Sequence, residues 1–431
     1  MTNAACAAEK IRQGEYDKIF STLYQPDRGT ILKQRERYAE AIENFERHYG
    51  TGRDISIYSV PGRVELCGNH TDHNNGVVMA AAVNLDIIAV ASKSPGRVIR
   101  LRSRGFQYED AVDLSCLEPD SREFGKSSAI IRGMSSAFRE RGGQCGAFDA
   151  YTISDILKGS GLSSSAAFEV CVGSILNGEY NGGRFDAVTL GMMGQYSENK
   201  FFGKPSGLMD QITCAIGGAI SIDFGDPSAP VVRKIPLDLP RHGIRLVVSD
   251  TKGDHSDLTD EYSAIRSEME SVADFFGKRC LSEVDYGDFK ARAADVRRKT
   301  GDRAIVRAIH FFEECERVRR AADIVERDDI ARFLDLIIEC GHSSFEFNQN
   351  AYSIKTPDIQ GVPLGLAVSQ GILKGHGAWR LQGGGFAGAI QAFVPDSLLD
   401  EYCRAMRGLF GGDACHVLNI RREGCVKLRL D

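Results

Sequence analysis

The sequence lacks the clusters of positive charge on which general nucleic-acid binders depend. Its 431 residues include 53 Lys and Arg against 59 Asp and Glu, a formal net charge of −6, and no basic stripe with interleaved aromatic residues occurs. No apolar window approaches the length of a transmembrane span, and residues 1–17 lack the apolar segment of a signal peptide. We therefore expect neither nucleic acid nor a membrane as a partner, and a cytoplasmic location.

Paired cysteines are also missing. The twelve cysteines are scattered along the chain, and no two of them form a C-x-x-C pair. In a chain of this length without a signal peptide, they are interpreted as reduced thiols. Cys67 lies inside a motif described below and is interpreted as a small buried hydrophobic residue.

The chain mixes helix-like and strand-like segments and is long enough for two domains with substantial cores. Apolar residues at helical spacing predict a helix over residues 28–49 and several packed helices over 260–341. A strand over 55–60 is expected to stop at Pro61. Further apolar or alternating runs predict strands at 77–92, 98–103, 149–156, 244–249, 389–394 and 425–430. We predict an α+β fold with domains at 1–220 and 221–431.

The most informative segment is the Gly/Ser-rich run at residues 158–167, followed at once by a predicted helix. Glycines let the backbone approach an anion, and the amide groups at the helix N-terminus favour negative charge. Serine hydroxyls can bind phosphate oxygens or a hard cation. No G-K-[ST] follows, so this is not a Walker loop. The segment predicts a phosphate-binding loop, although such runs are also common in linkers and turns.

A second segment, residues 61–76, concentrates Arg, Asn, His and Asp side chains between two apolar runs. These groups suit a hydroxyl-rich ligand, because each hydroxyl both donates and accepts hydrogen bonds. A metal site at His70, Asp72 and His73 is an alternative, although their spacing fits a compact zinc site poorly. A purely structural polar turn is the other alternative.

Two shorter segments complete the set. A glycine cluster at residues 383–388 precedes a predicted strand, and an acid at Asp210 follows a Pro/Gly turn and begins an apolar stretch. Taken singly, the first would be a tight turn and the second a helix N-cap or a surface acid.

Together and in this order, the four segments resemble galactokinases of the GHMP kinase superfamily. The family's sugar signature, roughly G-R-x-N-x-I-G-E-H-x-D-Y-x-x-G, resembles residues 62–76, and its G-x-G-L-S-S-S-A loop is matched in full by 159–166. Its G-I-M-D-Q and G-G-G-F-G-G segments resemble 207–211 and 383–388. The resemblance implies a two-domain GHMP-kinase fold with the active site in the cleft between domains.

The resemblance also implies an activity, the transfer of the ATP γ-phosphoryl group to the anomeric hydroxyl of a sugar. Asp210 would be the catalytic base and Arg63 the cation beside it. Glu198, in a segment resembling the family's A-E-H-x-F, would hold Mg²⁺ together with a loop serine, for which we choose Ser165. The implied ATP-binding residues are Gly159, Ser160, Gly161, Leu162, Ser163, Ser164, Ser165 and Ala166.

Sugar-binding residues follow from the same resemblance. Asp72 and His70 match the signature's aspartate and histidine, and Tyr262 aligns with a sugar-contacting tyrosine of the family. Asn69 and Gly207 complete the implied set. The expected partner is a small-molecule sugar, and the expected assembly is a monomer or a weak homodimer.

The chain departs from the signature at three positions that affect the choice of substrate. Glu65 replaces its Asn, Asn69 its Glu and His73 its Tyr. Residues 343–348 also lack the galactokinase-like S-x-R-D-D pattern. Loss of the glutamate would relieve repulsion of a C6 carboxylate, and residues 68–73 resemble galacturonate kinases of the superfamily. Galactose stays the first expectation, with galacturonate or another galactose-like sugar as the alternative.

An alternative of another class is a sugar sensor that binds ATP and sugar without transferring phosphate, as some galactokinase relatives do. The retention of Arg63, Asp210 and a complete serine loop favours catalysis.

Overall fold

The computed structural model describes residues 2–156, 161–253 and 258–429. The strands are β1 (Thr2–Asn3), β2 (Asp54–Cys67), β3 (Val77–Lys93), β4 (Val98–Ser103), β5 (Glu109–Asp113), β6 (Phe148–Ser154), β7 (Ala219–Asp223), β8 (Val231–Ile235), β9 (Ile244–Asp250), β10 (Ala378–Gln382), β11 (Ala389–Pro395), β12 (Cys415–Leu418) and β13 (Val426–Leu428).

The helices in the N-terminal half are α1 (Ala4–Gln13), α2 (Asp17–Leu23), α3 (Arg28–Tyr49), α4 (Ser127–Glu140), α5 (Ser164–Tyr180), α6 (Ala187–Ser197) and α7 (Met209–Ile216). Those that follow are α8 (Thr259–Phe275), α9 (Tyr286–Ala291), α10 (Ala293–Thr300), α11 (Asp302–Glu326), α12 (Ile330–Ser343), α13 (Gly361–Leu373) and α14 (Leu399–Phe410). Two π-helical turns, Glu198–Phe202 and Ser344–Asn348, extend α6 and α12. Among the described helices, none is both long and apolar enough to cross a membrane.

Nine of the described strands form one large sheet in the order β1-β2-β3-β6-β4-β5, with β13 beside β2, β7 beside β3 and β8 beside β7. A second, antiparallel sheet has the order β10-β11-β9-β12. The mixed α+β composition agrees with the sequence expectation. The large sheet takes in β8 and β13 from beyond residue 220, and the division at 220 stays a prediction.

The predicted end of the first strand at Pro61 was wrong. β2 continues to Cys67, and its register against β3 shifts between Pro61 and Arg63. Proline lacks an amide donor and is tolerated in sheets at such irregularities. At this kink a Cβ on Gly62 would lie 2.9 Å from the carbonyl oxygen of Leu162, and the Arg63 amide donates to that oxygen at 3.1 Å. The kink thereby brings the sugar motif against the Gly/Ser loop.

Helices cover both faces of the large sheet. α5 and α7 pack on β2 and β3 from one side, and α1 to α3 bury a separate apolar cluster on the other. α11 contacts β3, α12 contacts β10, and these two helices pack against each other. They connect the two sheets, so the polar loops after β2, before α5 and after β10 meet between them.

Candidate active site

The centre of the site is an ion pair between Arg63 on β2 and Asp210 in the first turn of α7. Arg63 Nε donates to Asp210 Oδ1 at 2.6 Å, and Nη2 donates to Oδ2. The Ser163 hydroxyl also donates to Asp210 Oδ2. Arg63 is 6% exposed, whereas 28% of the Asp210 side chain is exposed. The guanidinium therefore fixes a carboxylate that still faces the opening of the site.

Asp210 stays ionised at neutral pH in this setting. Burial alone would raise its pKa, but the charge and hydrogen bonds of Arg63, with further support from Ser163 and Lys204, hold the pKa below its usual range. A carboxylate with an exposed edge is chemically able to accept a hydroxyl proton.

The Gly/Ser loop reaches this pair from the N-terminus of α5. Ser163 adopts φ 54°, which turns its side chain toward Asp210 instead of capping the helix. The first amide bonded within the helix is that of Ala167, to Ser163 O at 3.1 Å. The amides of Ser164, Ser165 and Ala166 thus have no intrahelical acceptor, as at any helix N-terminus, and suit an anion.

The rest of the loop is held by contacts to the backbone of Gly161 and Leu162. Gly161 O accepts from Arg63 Nη1 and from Gln382 Nε2 at 3.2 Å. Leu162 is buried. Two predicted phosphate-loop residues, Gly159 and Ser160, lie outside the described residues.

Glu198 lies beside the loop, in the π-helical turn that follows α6. Its Oε1 accepts from Ser165 Oγ at 3.4 Å and pairs with Lys204 Nζ at 3.1 Å. Its Oε2 accepts from Ser206 Oγ at 2.5 Å and Gln211 Nε2 at 3.0 Å. The structure thus brings Ser165 and Glu198 together, two hard oxygen donors of the kind Mg²⁺ prefers.

A second buried carboxyl group, Glu169 on α5, stands behind Glu198. The Gln211 amide donates to Glu169 Oε2 at 2.9 Å as well as to Glu198. Burial, and then the charge of Glu198, raises the pKa of Glu169 well above its usual range. One amide therefore holds two carboxyl groups in place next to the Arg63–Asp210 pair.

Asp72, in a 3₁₀ turn at Asp72–Asn74, lies against Gly207. A Cβ on Gly207 would fall 1.6 Å from Asp72 Oδ2, so any other residue there would force the Asp72 carboxyl group to move. Burial, and then the charges of Asp210 and Glu65, raises the pKa of Asp72 to about 7. The Asp72 carboxyl group, predicted to bind the sugar, thus lies within the electrostatic field of the Asp210 carboxylate.

Asn69 is fully buried and engaged by the protein on every side. Its amide nitrogen donates to Glu65 Oε1 at 3.0 Å and to Gly383 O at 2.7 Å. Its amide oxygen accepts from Asn350 at 2.7 Å and Asn348 at 3.3 Å. In this arrangement the amide nitrogen of Asn69 already donates to protein acceptors, so it has no free donor for the predicted hydrogen bond to the sugar. Asn69 instead ties the sugar motif to the glycine loop.

His70 and Tyr262 also contact the glycine loop. His70 Nε2 lies 2.9 Å from Gly384 O, and the Tyr262 hydroxyl donates to Gly385 O at 2.8 Å. Burial lowers the pKa of His70, so at neutral pH the ring is uncharged and its Nε2–H donates to the carbonyl. Both predicted sugar-binding side chains are therefore positioned by backbone from beyond residue 220.

The alternative of a metal site at His70, Asp72 and His73 finds no support. Within the described ranges, no group of three or more His, Cys, Asp or Glu side chains is arranged to hold a metal ion. His73 turns toward Asn74 and His70 toward Gly384.

Several supporting residues were missed from the sequence. Arg380 on β10 is fully buried and pairs with Glu65 at 2.6 Å. Asn350, Gln382 and Lys204 each contact a predicted site residue. Gln382 and Lys204 lie just before the matched segments at 383–388 and 207–211 but were given no role, and Asn350 belongs to no motif. Gln211 did carry a signal, because it directly follows Asp210 within the matched segment.

The chain is similar in sequence to known families and proteins. Residues 43–93 match the family description "Galactokinase galactose-binding signature", and residues 129–218 match "GHMP kinases N terminal domain". The chain is 32% identical over 380 residues to the galactokinase of Streptomyces coelicolor, covering 85% of this chain and 92% of the relative. The galactokinase of Actinobacillus pleuropneumoniae is 30% identical over 371 residues, covering 84% and 91%.

Comparisons with solved structures extend the likeness to the fold. A galactokinase of Lactococcus lactis complexed with galactose superposes with a TM-score of 0.77 at 22% identity, covering 90% of this chain and 98% of that one. A mevalonate kinase of Methanococcus jannaschii gives a TM-score of 0.58 at 15% identity, covering 84% and 98%. The fold is thus the GHMP kinase fold, and the sequence likeness over most of its length shows that the chain belongs to the galactokinase family.

Proposed function

We propose that this protein is an ATP-dependent galactose 1-kinase, which converts galactose and ATP to galactose 1-phosphate and ADP. The observation that carries the proposal is the Arg63–Asp210 pair, which lies directly in front of the serine loop and the N-terminus of α5. A proton acceptor and a phosphate-binding element at one place are what phosphoryl transfer to a hydroxyl requires.

The reaction uses these groups in distinct roles. Asp210 accepts the proton of the anomeric hydroxyl as the oxygen bonds to the γ-phosphorus and the bond to the ADP oxygen breaks. Arg63 keeps the carboxylate ionised and oriented. The open amides at the start of α5 and the loop hydroxyls bind ATP phosphate oxygens.

A divalent cation fits the donors present, a carboxylate oxygen and a hydroxyl oxygen 3.4 Å apart. Glu198 and Ser165 would hold Mg²⁺, which supplies charge neutralisation to the ATP phosphates when bound. Glu198 is kept in place by Ser206 and Gln211.

The geometry supports galactose over galacturonate. The carboxylate that the signature has at position 69 is still present at this end of the site, at Glu65, hydrogen-bonded to Asn69. Arg380 already pairs with Glu65 and donates to the carbonyl oxygen of Leu66, so its charge is not free to bind the C6 carboxylate of galacturonate. Galacturonate and other galactose-like sugars stay as the alternative.

A panel assay tests this proposal. ADP release by the purified protein is measured with Mg-ATP and galactose, galacturonate, N-acetylgalactosamine, L-arabinose or glucose. We expect strong turnover with galactose. Turnover with galacturonate alone would reassign the substrate, and ATP binding without turnover on any sugar would support the sensor.

The twelve cysteines all lie in described residues and are free thiols, which accords with a reducing cytoplasm. A monomer or weak homodimer stays our expectation for the assembly.

A further inference from the structure

The two oxygens of the Glu198 carboxylate have different surroundings. Oε2 is held by the structural donors Ser206 and Gln211. Oε1 faces the Gly/Ser loop, where it meets the Ser165 hydroxyl at 3.4 Å and the Lys204 ammonium at 3.1 Å. The side that would receive a metal ion is thus the side on which Lys204 lies.

The buried Glu198 carboxylate needs a compensating positive charge. Only 3% of the Glu198 side chain is exposed, and a buried carboxylate is costly without a compensating charge. Glu169, fully buried, is joined to Glu198 through the Gln211 amide. Two carboxyl groups, those of Glu198 and Glu169, therefore lie near the Lys204 ammonium.

Lys204 differs from its partner in how it is held. Its side chain is 61% exposed, and it lies on the loop between the π-helical turn and α7. A lysine is a compact charge on a flexible four-carbon stem, so the head group can withdraw into solvent without moving the backbone. Glu198, by contrast, is held in place through Oε2, which accepts from Ser206 and Gln211.

We propose that the Lys204 ammonium is a place-holding cation, which pairs with Glu198 Oε1, the oxygen that also contacts the Ser165 hydroxyl, and is displaced when a divalent metal binds to these two oxygens. This rests on the metal site of the proposed function. Two cations at one carboxylate oxygen repel each other strongly at such distances, so the ammonium has to leave as the metal enters. Lys204 compensates the charge of the Glu198 carboxylate before binding and lowers the apparent affinity for the metal.

Thermal unfolding with Mn²⁺ as the probe tests this without any catalysis. Wild type, Lys204→Met, Lys200→Met and Glu198→Gln are unfolded in EDTA and in a MnCl₂ titration with saturating ADP. Lys204→Met keeps the stem but removes the charge. Lys200→Met is the matched control, because Lys200 lies on the π-helical turn that carries Glu198 but pairs with Glu140 and Tyr196.

The expected result has two parts. In EDTA, Lys204→Met unfolds at a lower temperature than wild type, because Glu198 loses its counter-charge. The Mn²⁺ concentration that gives half of the stabilisation falls about tenfold in Lys204→Met, equivalent to roughly 1.4 kcal/mol, and stays at the wild-type value in Lys200→Met.

An equal or higher half-saturating concentration in Lys204→Met, with the Mn²⁺ response lost in Glu198→Gln, overturns the place-holder alone. A Mn²⁺ response that survives in Glu198→Gln, or no response in wild type, overturns the metal site and the place-holder together. Neither outcome depends on which sugar is phosphorylated, so the galactose assignment is tested separately by the sugar panel.

Discussion

At the scale of single residues, the geometry around Asp210 defines the most direct test of the mechanism. Asp210→Asn keeps the shape of the side chain but cannot accept the proton of the sugar hydroxyl. We expect kcat to fall by about 10²- to 10⁴-fold, the usual contribution of a positioned base, while sugar and nucleotide still bind in calorimetry. Near wild-type kcat in this variant would remove Asp210 as the base.

Asp72 provides a prediction of pH dependence. Burial, with the charges of Asp210 and Glu65, raises its pKa to about 7. As pH rises through this value, Asp72 loses its proton and gains an acceptor for sugar hydroxyls, so kcat/KM for the sugar should rise to a plateau above pH 7. The pKa of Asp210 is lowered, so Asp210 adds no inflection there. A pH profile of Asp72→Asn checks this: an unchanged inflection would assign it to another group.

Glu65 and Asn69 form a carboxylate–amide pair whose members stand in the reverse order to the signature. Asn69→Glu replaces the amide that donates to Glu65 with a second carboxylate. Two like charges next to each other in a buried site are destabilising. We expect this single change to lower the melting temperature by several degrees, and Glu65→Asn combined with Asn69→Glu to recover part of the loss.

The exchange also bears on specificity. The double variant should favour galactose over galacturonate more strongly than Glu65→Asn alone in the ratio of kcat/KM values, because Asn69→Glu returns a carboxylate to the place where Glu65→Asn leaves Arg380 without its partner. Glu65→Asn alone is the control. An unaltered ratio in the double variant would separate these two residues from the choice at C6.

At the scale of elements, the site depends on how closely turns approach one another. The segment between the π-helical turn and α7 touches the Asp72 turn at Gly207, where a Cβ would overlap Asp72 Oδ2. Gly207→Ala should displace Asp72 and raise the KM for the sugar by about tenfold or more, in line with the cost of small misplacements in active sites.

Gly371→Ala is the matched control for this change, because Gly371 lies within α13 with nothing close to its added Cβ. We expect its steady-state kinetics to match wild type. A Gly207→Ala enzyme with an unaltered KM for the sugar would show that the Asp72 turn can adjust.

At the scale of the whole molecule, a buried charge cluster ties both ends of the described chain to the large sheet. Asp86 on β3 is fully buried and pairs with Arg37 of α3 at 2.5 Å and Arg421 at 3.1 Å. The Tyr24 hydroxyl donates to the same carboxylate at 2.6 Å. Asp86→Ala would leave the buried Arg421 guanidinium without its carboxylate partner and Arg37 with only Asp155 at 3.3 Å. We expect a loss of about 3–5 kcal/mol in the free energy of unfolding.

The pH dependence of that stability has a defined sign. Burial opposes ionisation of Asp86, but Arg37 and Arg421 together with its hydrogen bonds hold its pKa below the usual value. Its contribution is present above the unfolded pKa of about 3.9 and is lost as pH falls through the folded value. Denaturant titrations of wild type and Asp86→Ala check both points; Asp323→Ala, at an exposed pair with Arg233, is the control and should change little. A wild-type unfolding free energy in Asp86→Ala would contradict the prediction.

Local patterns determined much of this protein from sequence alone. The helix over 28–49 was confirmed because its apolar spacing and its flanking caps, Asp27 and Gly50, are local signals. The strands at 98–103 and 389–394 followed from alternation or continuous apolar character. The motifs gave Arg63 and Asp210 as neighbours because they match a family pattern, which the comparisons confirmed as the galactokinase family.

Only the tertiary structure decided which groups those residues contact. Periodicity could not predict that β2 runs past Pro61, since the kink is stabilised by the loop packed against Gly62. The return of β13 to the first sheet, and the ties from Arg380 and Asn350 to the sugar motif, join residues about 280 or more positions apart. Such contacts depend on burial and charge compensation between distant segments, which no local pattern encodes. The sequence therefore determined the chemistry of the site, and the packing of two sheets and their loops decided which groups are free to act.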